Sequence, residues 1–108
     1  MDRKTIERLK IIQLEDYGLS GKDLAAAGFI KRYFAEFSPE VVAEKIMTAQ
    51  ANGVKFLMNQ IYMEIDQYLL PKEKAQYQVL ATKEWLVRDD LNFEKLEVLL
   101  DSFLEAIK

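Results

Sequence analysis

Apolar residues recur along this chain at three- and four-residue spacing, the period of a helix that buries one face. Caps divide the pattern into five segments, or six if the middle one is split. Asp2 is placed to cap a first helix reaching Tyr17, with Gly18 just beyond it as a left-handed stop. Ser20 and Asp23 form a capping-box-like start to a second. Its apolar face is Ala26, Phe29, Ile30, Tyr33, Phe34 and Phe37, and the phase carries the helix through Gly28. Ser38-Pro39 opens a third with Val42, Ile46 and Ala49, because proline's missing N–H is harmless at the first helical position.

At Asn52-Gly53 the stripe shifts by roughly a quarter turn, counting about 100° per residue, and this predicts a break with Gly53 left-handed. Beyond it Val54, Leu57, Met58, Ile61, Ile65 and Tyr68 share a face, while Phe56, Met63 and Leu70 form a second seam. A helix apolar on two sides belongs at a centre, so Val54–Leu70 is expected there. Pro71 opens residues 72–88, whose main face is Ala75, Val79, Thr82 and Leu86. The turn at Asp89–Asn92 leads to a last helix, 92–107, with a seam of Phe93, Leu96, Leu100, Phe103 and Ile107. Two heptads are too few for a free coiled coil, so this seam needs a bundle or a second copy. The expected fold is all-α: a compact antiparallel helical bundle of five to six helices in a single domain, residues 1–108.

Composition narrows the chemistry. The 108 residues are half apolar with a net charge of −3, enough apolar content to build a core without staples. There are no cysteines, which removes disulfides, thiol nucleophiles and thiolate metal sites, and fits a cytoplasmic address. There are no histidines, so no imidazole base or ligand is present. Neither a secretory leader nor an apolar run of about 20 residues occurs, and no membrane association is expected. The glycines at 18, 21, 28 and 53 do not form a phosphate loop. These absences point away from an enzyme, a cofactor and a metal.

Three constellations remain. Glu94, Glu97, Asp101 and Glu105 form one stripe of the last helix without an intervening lysine. Like charges at i, i+4 repel, so either solvent or a basic surface compensates them, with Arg3, Lys4 and Arg8 of the first helix as candidates within the chain. Tyr77, Ala81 and Trp85 lie off the main face of residues 72–88, with Arg88 beside them. Trp, Tyr and Arg are enriched at binding hot spots, although coverage within the fold explains the same spacing. The stretch from Tyr17 to Gly28 resembles, generically, the tight turn of a helix-turn-helix regulator. A DNA-binding regulator built on residues 18–37 would need a turn near Gly28 and a shared surface for Lys22, Lys31 and Arg32, and nucleic acid is not the expected partner. A small-ligand-binding bundle would need an apolar pocket with polar groups such as Asn59, Gln60, Glu64 or Tyr68. Met47, Met58 and Met63 could line an adaptable groove, but methionine at helical spacing more often fills a core. The sequence reading is a non-catalytic protein-interaction or regulatory module and a homodimer, with Tyr77, Trp85, Arg88, Glu94, Glu97, Asp101 and Glu105 as its partner-binding residues.

Overall fold

Among the described residues, the last helix is the element with the most extensive packing. In the computed structural model, which describes residues 1–19, 21–68 and 91–108 and no side chains at 65–68, the chain is all-α. The helices are α1 (Arg3–Leu9), α2 (Gly21–Phe34), α3 (Pro39–Asn52), α4 (Val54–Tyr68) and α5 (Phe93–Ile107), with a 3-10 turn at Leu14–Tyr17. The bundle is compact, with a Cα radius of gyration of 12.7 Å. Helix α5 packs against each of the other described helices, most extensively against α3. Its Leu96, Leu99, Leu100, Phe103 and Ile107 are buried, which is the expected seam with Leu99 added and Phe93 partly buried at its edge. The residues expected in helix 72–88, Ser20 and Leu70 lie outside the described residues.

Contacts fix how α5 runs. Ile107 lies beside Pro39 and Ala43, the Gln50 amide donates to Asp101, and Lys55 sits over the Phe93 ring, so α3 and α5 are antiparallel. Asp23 accepts from the Asn92 backbone at 2.7 Å while Phe34 meets Phe103 edge-to-face at 6.0 Å, so α2 and α5 run in the same direction. Asn92 caps α5 by accepting from the Lys95 amide, and Lys95 in turn donates through Nζ to the Gly18 carbonyl at 2.8 Å.

The starts and stops follow local chemistry. The Asp2 carboxylate accepts from the Thr5 amide, Ser38 caps α3 with Pro39 in its first turn, and α2 continues through Gly28. Gly18 has φ +69° and ψ +22°, the left-handed stop the sequence requires. The helix before it departs from expectation: α1 ends at Leu9 and the chain re-forms only as the 3-10 turn. Ile12 is buried while its neighbour Ile11 is exposed, and the Ile12 carbonyl accepts from Lys31 Nζ at 3.0 Å. That tertiary bond replaces the intrahelical donor that continued helix would have supplied.

The break at Gly53 is present, but its conformation is not the expected one. With φ +100° and ψ +159°, Gly53 lies in an extended region essentially closed to residues with a Cβ, not in the left-handed helical region. Beyond it Val54, Leu57, Met58 and Ile61 are buried as predicted. Of the second seam, Phe56 is 43% exposed and Met63 75% exposed, so neither of its described members is buried. Among the described residues α4 presents one buried face and touches α2, α3 and α5, while α5 touches α1 as well and packs most extensively. The end of the expected central segment, Leu70, lies outside the described residues. The methionines divide, Met58 entering the core while Met47 and Met63 face outward.

Candidate functional site

Helix α5 carries the acidic stripe on the side opposite its buried seam. Glu94, Asp101 and Glu105 are exposed and Glu97 is half-buried, with Val98 standing 54% exposed among them. Asp101 accepts from the Gln50 amide, a neutral partner. Among the described residues no cation pairs with any of the four carboxylates. Arg8, one of the expected partners, instead donates to the Ile107 carbonyl at 2.7 Å. A cation at that end satisfies an orphan carbonyl and complements the negative pole of the helix, a better use of Arg8 than reaching a solvated carboxylate. Glu105 also borders a cleft of about 410 Å³ against the 3-10 turn, with Tyr17 and Asp16 on its other wall.

Tyr77, Trp85 and Arg88 lie outside the described residues. Of the groups suggested for a ligand site, Asn59 is exposed, Gln60 is half-buried, and the Tyr68 side chain falls outside the description. Glu64 is engaged: it accepts from the hydroxyl of Tyr33, which is 2% exposed and also accepts from Lys45 Nζ at 3.0 Å. The Lys45 ammonium lies 4.5 Å from the centre of the Phe37 ring as well. This network ties α2 to α3 and α4 and gives a buried phenol both a donor and an acceptor, as burial of a hydroxyl requires. Tyr33 was legible only as one of the apolar stripe, since its spacing records burial and not the groups that meet its oxygen.

Of the cations proposed for DNA contact, Lys22 is exposed, while Lys31 and Arg32 are engaged within the fold. Lys31 donates to Ile12, and Arg32 lies 2.6 Å from Glu36 one turn on. Burial lowers the Lys31 ammonium below its ordinary value, with the charge of Glu15 acting in the opposite direction. Lys31 and Arg32 also line, with Lys10, a cavity of about 430 Å³ between α1 and α2 whose other walls include Ile6, Leu9, Gly28 and Ala35. The sequence signal for this cavity is Gly28, a glycine inside a helix that no turn requires.

Among the described residues no three acidic, histidine or cysteine side chains converge as a metal site, and no helix is long and apolar enough to cross a membrane. No family model, no curated protein and no solved structure matches this chain.

Proposed function

We propose that this protein is a non-catalytic protein-interaction module of the cytoplasm whose α5 face receives a basic partner. The observation that supports this reading is an exposed valine, Val98, set among four carboxylates that no cation of the described fold neutralises. An apolar centre rimmed by one sign of charge suits a partner of opposite sign, with the charges steering encounter and the apolar contact slowing release. The test is affinity capture with the wild-type chain and with Glu94→Lys/Glu105→Lys, which changes two exposed positions without a described side-chain partner. A stoichiometric basic protein held by the wild type and lost by the variant, at equal urea midpoints, is expected. Retention by the variant, or capture of no stoichiometric protein, overturns the reading.

Self-association is the second reading and uses another surface. Two copies would repel through matching acidic stripes, whereas the exposed Phe56 and Met63, seven residues apart on α4, offer an uncharged line for a two-fold contact. The wild type should then sediment as a dimer and Phe56→Ser as a monomer. A monomeric wild type removes the homodimer.

A further inference from the structure

Gly28 is a residue the fold itself does not use. It sits inside α2 with no positive φ, so no backbone conformation calls for glycine. A Cβ built there meets nothing within 4 Å, so no close packing calls for it either. Glycine is among the worst residues for a helix interior, and alanine, which stands at the three preceding positions, is the best. What Gly28 supplies is space, and that space is the α1–α2 cavity.

The walls of the cavity have a definite chemistry. Ile6 and Ala35 line its apolar side, while Lys10, Lys31, Arg32 and Met1, which carries an ammonium group, supply the cations at its border. Glu36 is not part of the lining but pairs with Arg32 at 2.6 Å and with the Met1 ammonium at 3.4 Å. Lys31 is half-buried and uses one of its three N–H donors on the Ile12 carbonyl. The guanidinium of Arg32 is held in place by Glu36. At about 430 Å³ the cavity falls within the range of about 300–1,000 Å³ that holds small organic ligands. We propose that the cavity between α1 and α2 binds a small amphiphilic carboxylate, its aliphatic chain over Gly28 and its carboxylate against Lys31 and Arg32. This site is separate from the protein-binding face of α5 and would give the module a ligand input.

Amide chemical shifts measured during titration of the full chain with decanoate test the assignment, with decanol as the uncharged chain and acetate as the headgroup alone. Decanoate is expected to shift Gly28, Lys31 and Arg32 saturably below about 1 mM, the weak end of specific affinity, with decanol and acetate at least tenfold weaker. A Cβ at Gly28 meets nothing within 4 Å, and leucine there replaces a poor helix former by a good one, so Gly28→Leu should occupy the cavity, melt no lower than the wild type and bind decanoate at least tenfold more weakly. Lys31→Met should weaken decanoate and leave decanol unchanged. The proposal is overturned if decanoate gives no saturable shift by about 1 mM, if Gly28→Leu binds it as tightly, or if decanol matches it. Co-sedimentation with phosphatidylglycerol vesicles in place of decanoate binding would assign the cations to a lipid surface and likewise overturn a small-molecule site.

Discussion

Replacing Gly53 by alanine isolates a backbone effect, because the added Cβ has open space and only the dihedral angles object to it. At φ +100° and ψ +159°, with nothing within 4 Å of a built Cβ, the native conformation costs an L-residue about 1–3 kcal/mol. Alanine also reduces the entropy of the unfolded chain, which returns about 0.4–1 kcal/mol. The expected net loss is about 1–2 kcal/mol, and for a domain near 100 residues each kcal/mol lowers the thermal midpoint by about 4–8 °C. Urea unfolding monitored by circular dichroism should show a lower midpoint at an unchanged slope. Asparagine sharpens the test: it tolerates the left-handed helical region but gains nothing at ψ +159°, so Gly53→Asn should lose nearly as much as Gly53→Ala. A Gly53→Asn chain within about 0.5 kcal/mol of the wild type, beside a destabilised alanine variant, would place Gly53 in the left-handed helical region and refute the reasoning.

Leu100 is fully buried on α5, and Leu100→Ala should cost about 2–5 kcal/mol in urea unfolding; a loss within about 0.5 kcal/mol would show that the seam is not packed. Thr5 is fully buried and its hydroxyl donates to the Phe37 carbonyl, so Thr5→Val, which keeps the shape and removes the donor, should cost about 1–3 kcal/mol by the same measurement. Lys31 has a native pKa below its ordinary 10.5, so between those two values the unfolded chain binds more protons at this site and the site's contribution to stability rises with pH. Compared with Lys31→Met, the wild type should therefore gain urea midpoint as pH rises through that window toward 10.5; a flat or falling difference would contradict the burial of the ammonium.

Helix ends and buried stripes were legible in the sequence because both follow from local chemistry. Asp2, Ser38 and Asn92 each accept a backbone amide within three residues, and a capping side chain needs no distant partner to do so. Val42, Ile46 and Ala49, or Leu96, Leu100 and Phe103, are buried because a 3.6-residue period puts them on one face whatever that face meets. The break at Gly53 was equally local, as a change in stripe phase demands a change in backbone. Which faces find partners was not local. Phe56 and Met63 on α4 are seven residues apart, as are Leu96 and Phe103 on α5, yet the first pair is exposed and the second fully buried, because among the described residues the face of α5 meets the other helices and that side of α4 does not. The end of α1 at Leu9 depends on Lys31 reaching the Ile12 carbonyl across nineteen positions, and Arg8 passes over the acidic stripe for the Ile107 carbonyl at the far end of the chain. Periodicity records how a segment divides into faces; only packing decides what each face, and each charge on it, will meet.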